Sequence, residues 1–188
     1  MNITAGMKWS VVLALLCFSS FTLPQKKIYS GNNGAVSFIS DAPLEVIKAQ
    51  SGELKSAIDT EDRSFLFTVS VNSFHGFNSG LQREHFNENY LETVKYPKAS
   101  FVGKFIEDIN FSRDGTYDVR AKGILDVHGV KQERIIKGIM RVNGSEIRIE
   151  SDFSVALEDH NIKIPRVVYQ KISPQIDVTM IATLELLQ

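Results

Sequence analysis

Alternation of apolar and polar residues with a period of two is the feature that most constrains the fold of this chain. From Tyr117 to Val127 every second residue is apolar or small, and similar alternation recurs over 147–155 and 176–184. Runs of this kind are typical of β-strands that bury one face. Gly and Asn accept the backbone conformations of tight reversals, which predicts turns at Asn32-Asn33-Gly34, Asp114-Gly115 and Asn143-Gly144.

The pattern predicts an all-β fold with two short helices. Leu81 and His85 share a face of the first helix, at 80–92, and Pro165 opens the second, at 165–172. A run of about fourteen residues such as 115–128 is longer than a usual sandwich strand and favours a single antiparallel barrel. About eight strands are predicted, at 34–40, 53–59, 64–71, 99–108, 115–128, 134–142, 146–157 and 175–187.

The N-terminal residues have the order of a secretory signal peptide. Lys8 precedes an apolar run, Trp9–Phe18, and small residues follow it. We expect residues 1–24 to be removed, which leaves one mature domain at 25–188 in a secreted compartment. The only cysteine, Cys17, lies in the removed part, so no disulfide or thiol chemistry is expected of the mature domain.

Charge and length narrow the classes of function. The 188 residues suit one domain with a buried core, and the net charge is −1. The basic residues form no stripe or tract of the kind that binds nucleic acid, so no nucleic-acid partner is expected.

Four histidines are the candidates for chemistry: His75, His85, His128 and His160. On the predicted helix only Glu88 or Asn89 shares a face with His85, whereas a metal site generally needs three or four ligands. We therefore predict no catalytic residue and no metal. The alternative is a metal-dependent or hydrolytic enzyme that uses His85, Glu88 and His128 or His160.

Two segments carry a resemblance to a known family. A polar helix, Glu84–Leu91, runs into Tyr96-Pro97 and then Phe101 in a strand, and Gly123–Val130 reads Gly-Ile-Leu-Asp-Val-His-Gly-Val. Together they resemble the YceI-like family, which shows a polar helix before Tyr-Pro and then Gly-x-Leu-x-x-His-Gly-Val. The resemblance spans 34–186.

Two departures place the chain in a divergent branch of that family. One is the segment Phe38–Glu45, and the other is Lys131-Gln132-Glu133 after the His-Gly marker. The resemblance implies a lipocalin-like barrel in the periplasm that holds a polyisoprenoid or fatty-acyl chain in an apolar lumen. It implies no enzymatic activity and no cofactor. The expected partner is such a lipid, with a homodimer as a further option.

The alternating faces nominate residues for the lumen and the rim. The lumen residues predicted to touch the chain are Phe38, Phe65, Phe67, Phe101, Phe105, Val119, Leu125, Phe153 and Val178. The residues predicted to lie at the rim, near a head group, are Arg83, His85, His128 and Arg166. The same apolar residues could instead fill a solid core, and a solid-cored structural or interaction barrel is the third alternative.

Overall fold

The structure, a computed structural model, describes residues 27–187. The predicted signal peptide at 1–24, with Cys17, lies outside these residues. The strands are β1 (Ile28–Ala42), β2 (Glu45–Asp59), β3 (Ser64–Ser70), β4 (Lys98–Phe105), β5 (Gly115–Val127), β6 (Val130–Asn143), β7 (Glu146–Ala156) and β8 (Gln175–Leu186). Each pairs antiparallel with the next, and β8 closes on β1. The predicted antiparallel barrel of eight strands is confirmed.

The first two strands are longer than the sequence predicted. β1 begins at Ile28 and not at 34, and β2 begins at Glu45 and not at 53. The turn predicted at Asn32-Asn33-Gly34 is wrong, because the β1–β2 pairing continues through it with register shifts on either side of Gly34. Asn and Gly fit a β-bulge as readily as a turn, so these residue types predicted a turn where the strand continues.

The two predicted helices differ in outcome. The first begins at Gly80, with Ser79 accepting a hydrogen bond from the Gln82 amide, and it comprises α1 (Gly80–His85) and a π-helical segment (Phe86–Tyr90). The helix predicted at 165–172 is wrong, since only the single 3₁₀ turn Arg166–Val168 forms there. Two valines and a tyrosine in that stretch have low helix propensity.

The barrel has two unlike ends. Its mouth is formed by the β1–β2 turn, residues 71–97, the β5–β6 turn and residues 157–174. The opposite, closed end holds a packed core that includes Ile58, Met140, Ile147 and Leu184, none of which has more than a trace of solvent exposure. Ile109 and Phe111, from the β4–β5 connection, join this core. The closed end of the barrel is therefore solidly packed.

Two glycines allow β4 and β5 to approach closely. Gly103 and Gly123 are direct partners in the β4–β5 register. A β-carbon on Gly103 would collide with the carbonyl oxygen of Lys122, and one on Gly123 with that of Val102. Because neither residue has a side chain, the backbones of the two strands can pack in direct contact.

No helix within residues 27–187 is long and apolar enough to cross a membrane.

Candidate functional site

An apolar cavity of about 550 Å³ occupies the barrel between the mouth and the closed-end core. Every strand contributes an inward side chain, because alternate residues of each strand face the interior. Cavities of this size in proteins commonly hold one small molecule. Examples from the eight strands in order are Val36, Ile47, Phe67, Phe101, Leu125, Ile136, Phe153 and Val178.

Four phenylalanine rings separate the cavity from the packed core. The Phe65 ring lies 5.0 Å from the centroids of Phe101 and Phe105 and 5.5 Å from that of Phe67. Phe67, Phe101 and Phe105 line the cavity, whereas Phe65 lies behind them and is 3% exposed. The interior is therefore filled at one end and hollow at the other.

Small residues account for the hollow part. Ala121, Gly138 and Ser151 line the cavity. Larger side chains at 121 and 151 would narrow it, whereas a β-carbon on Gly138 would press on the Glu150 carbonyl oxygen of the neighbouring strand. The Ser151 hydroxyl donates to the Lys137 carbonyl at 2.6 Å, so this polar group is satisfied within the wall. Protein interiors are close-packed, so the space left open beside Ala121 and Ser151 is consistent with a binding site.

Residues 71–97, the mouth segment, cover one side of the opening with aromatic rings. Phe86 stacks on Phe38 of β1, with centroids 5.5 Å apart and an interplanar angle of 17°. Phe74 and Phe77 lie 5.5 and 6.0 Å from the same ring. The sequence analysis nominated Phe38 but missed the other three. Their concentration within an otherwise polar segment was the available signal.

Polar side chains collect where the cavity meets the mouth. Gln82 donates from Nε2 to Glu45 Oε1 at 2.5 Å, and both residues line the cavity with His85 and Lys171. Burial raises the pKa of Tyr90, which also lines the cavity, so its hydroxyl stays neutral. Carboxylate, amide, imidazole and ammonium groups thus face an otherwise apolar space. The sequence analysis missed Glu45 and Gln82 as facing this space.

Most of the residues predicted for the lumen line the cavity, whereas most of those predicted for the rim do not. Of the lumen set, all except Phe65 line the cavity, and of the rim set only His85 does. Arg83 donates from Nη2 to the Asn72 carbonyl at 3.2 Å, and Arg166 is exposed at the start of its 3₁₀ turn. Contact of any of these residues with a ligand stays a prediction.

His128 joins three parts of the mouth. It has a positive φ of 54°, as does the following Gly129 at 71°, so the two form the tight β5–β6 turn. The His128 ring donates from Nδ1 to the His160 carbonyl at 3.0 Å and meets the Tyr96 ring at 4.6 Å. A β-carbon on Gly129 would collide with Tyr96. The Tyr-Pro and His-Gly markers of the sequence thus meet in space.

His160 is fully buried and belongs to the same junction. Its Nδ1 lies 3.2 and 3.1 Å from the carbonyl oxygens of Val127 and Val130, which can only accept, so Nδ1 carries the proton. Nε2 then has no partner among residues 27–187. Within that range no group of three or more His, Cys, Asp or Glu side chains is arranged to hold a metal ion.

Comparison with known proteins agrees with this architecture. A sequence model of the YceI-like domain matches residues 32–184. No curated protein sequence matches the chain. Among solved structures, a polyisoprenoid binding domain from Saccharophagus degradans is 14% identical with a TM-score of 0.69, covering 86% of this chain and 99% of that one.

Two further structures share the fold. Burkholderia cenocepacia BcnA is 14% identical with a TM-score of 0.64, covering 80% of this chain and 95% of its own. The Campylobacter jejuni YceI protein is 12% identical with a TM-score of 0.51, covering 97% of this chain and 91% of its own. At these identities the structures establish a common fold.

Proposed function

Because the chain belongs to the YceI-like domain family, we propose that it is a binding protein that holds one long-chain lipid, a polyisoprenoid or a fatty-acyl lipid, in the barrel cavity. The observation that carries the proposal is the apolar cavity, closed by phenylalanine rings at one end and bordered by polar groups at the other. A lipid with a hydrocarbon chain and one polar end matches this arrangement of apolar and polar residues. A relative of the same fold is described as a polyisoprenoid binding domain.

Binding would be driven by burial of hydrocarbon. Each buried CH₂ contributes about 0.8 kcal/mol, which corresponds to about a fourfold gain in affinity. The lumen residues that line the cavity would contact the chain, with Phe101 and Phe105 at its far end. No covalent step and no cofactor is needed for this function.

The head group would lie among Glu45, Gln82, His85 and Lys171. These groups supply an anion, an amide, an imidazole and a cation, so hydroxyl, carbonyl or acidic heads each find a partner there. The rim residues Arg83, His128 and Arg166 lie outside the cavity lining and would act on a head group only if it extends beyond the mouth.

The proposed setting is the periplasm or the extracellular space, after removal of residues 1–24. N-terminal sequencing of protein recovered from the producing cells tests this. A mature protein that begins near residue 25 supports the proposal, and one that retains Met1 or Met7 contradicts it.

The experiment for the function is native mass spectrometry of protein purified without added lipid, followed by titration with polyprenyl and fatty-acyl probes. We expect a co-purified lipid or uptake of one probe molecule per chain. Ala121→Phe should narrow the cavity and weaken uptake of the probes, whereas Val102→Phe, on the outward face of β4, should leave uptake unchanged. Protein that carries no lipid and takes up neither probe would overturn the proposal.

A further inference from the structure

The most exposed large apolar side chains surround the mouth of the cavity. Among the described residues the five highest exposures belong to Val94, Val167, Leu44, Tyr169 and Leu81, at 100, 90, 65, 64 and 59%. All five lie on the connections that form the mouth. Single exposed apolar residues are ordinary, but their concentration around one opening marks an interaction surface.

Three of these residues lie on two connections that are hydrogen-bonded to each other. Leu44, in the β1–β2 turn, donates its backbone N–H to the Gln170 carbonyl at 2.9 Å, which ties that turn to the loop that carries Val167 and Tyr169. We call Leu44, Val167 and Tyr169, together with Lys163 and Arg166 of the same loop, the mouth patch.

The connection 157–174 has its two acidic residues, Glu158 and Asp159, at its start, and the loop that follows, 161–174, is purely cationic. It contains Lys163, Arg166 and Lys171 and no acidic residue, although the whole chain has a net charge of −1. All three cations are exposed, and none forms an ion pair within residues 27–187. Unpaired cations interleaved with exposed apolar tips attract an anionic partner that also accepts apolar groups.

The same loop has an inner face on the cavity. Val168 and Ile172 line the interior, whereas Val167 and Tyr169 point outward. A partner that engages the outer face therefore lies directly at the opening through which a chain enters or leaves.

We infer that the mouth patch docks on the surface of a phospholipid bilayer that contains anionic lipids. Tyrosine and aliphatic tips with neighbouring Lys and Arg are the composition that settles at a membrane interface, with the cations on the head groups. Docking in this orientation places the cavity mouth against the lipid, so that a hydrocarbon chain passes between bilayer and barrel without crossing water.

Vesicle flotation tests the inference with no polyprenyl or fatty-acid probe added. Wild-type protein should float with vesicles of phosphatidylcholine and phosphatidylglycerol and bind vesicles of phosphatidylcholine alone at least tenfold more weakly. The double variant Val167→Ser, Tyr169→Ser should lose at least tenfold in affinity for the anionic vesicles. Lys163→Gln and Arg166→Gln should each weaken binding about fivefold, as expected for about 1 kcal/mol per cation. Ile135→Ser, at a 56% exposed site on the barrel wall, is the matched control and should bind like wild type.

Three results would overturn the inference: no flotation with either vesicle, equal flotation with both, or equal loss in the Ile135→Ser control. A protein that needs a protein partner to reach the membrane would give the first result.

Uptake of a short acyl probe in solution, measured on the same samples, separates this inference from the proposed function. Intact uptake without flotation rejects docking alone, and flotation without uptake rejects lipid storage alone.

Discussion

The Glu92 carboxylate and the His128 ring form a short link across the mouth, with 2.7 Å between Oε2 and Nε2. His128 also donates from Nδ1 to the His160 carbonyl, so both ring nitrogens are engaged. Glu92, like His128, has a positive φ, at 43°. This pair connects the mouth segment to the β5–β6 turn and, through His160, to residues 157–174.

We expect Glu92→Gln to lower the free energy of unfolding by about 1 kcal/mol, since Glu92 is partly exposed and a charge-assisted hydrogen bond there is worth less than a buried one. His128→Asn should cost more, about 1–3 kcal/mol, because it also removes the hydrogen bond to the His160 carbonyl. Asn is used at 128 because it tolerates the left-handed backbone. Urea denaturation of the single and double variants measures the interaction free energy between the two side chains. Additive losses in the double variant would show that the two side chains do not interact.

Phe101→Ala should lengthen the cavity, because its ring stands between the cavity and Phe65. In wild-type protein, affinity for a series of fatty acids should rise about fourfold per CH₂ and then level off when the cavity is full. The affinity of the Phe101→Ala variant should level off at a longer fatty acid than that of wild-type protein. Competition with a fluorescent acyl probe measures both series.

Val102→Ala, the next residue on the outward face of β4, is the control for that series. Its affinity should level off at the wild-type length. A shift in the control, or none in Phe101→Ala, would mean that Phe101 does not bound the ligand. The Phe101 variant should still fold, at a cost of up to about 3 kcal/mol.

Gly103→Ala should destabilise the barrel by about 1–3 kcal/mol, because its β-carbon would collide with the Lys122 carbonyl oxygen on β5. Gly52→Ala is the matched control, since a β-carbon at that strand position meets nothing within 4 Å. The control should be neutral or slightly stabilising. Chemical denaturation of both variants checks this, and equal stability of the two would contradict the close approach of β4 and β5.

Because of Asp62, the free energy of unfolding should decrease in acid. Hydrogen bonds from Ser64 and Lys104 hold the pKa of this carboxyl well below its ordinary value of 3.8. A lowered native pKa means that the stabilisation is fully present above pH 3.8 and is lost as the pH falls below it.

Thermal unfolding of wild type and Asp62→Asn across this range measures the effect. The difference in Tm should be largest near neutral pH and should shrink in acid. Asp108→Asn is the control, since its 3.6 Å contact with Arg63 involves a fully exposed carboxylate. A difference for Asp62→Asn that is constant with pH would contradict the linkage.

The sequence by itself determined the class of fold and most of the barrel wall. Period-two alternation is a local property of a strand that buries one face, so eight strands and the inward positions of Phe67, Phe101, Leu125 and Phe153 could be predicted. The Tyr-Pro and His-Gly markers, which are in contact in the fold, likewise indicated the family from the sequence.

Only the tertiary structure decided where the interior is hollow. Phe65 and Phe67 follow the same alternation, yet one lies behind the ring cluster and the other lines the cavity, because depth along the barrel depends on register and closure across all eight strands. The same holds for Glu45 and Gln82, which lie 37 residues apart and meet at the mouth, and for Leu44 and Tyr169 in the patch around it. Contacts between distant connections have no periodicity in sequence, so they could not be predicted from it.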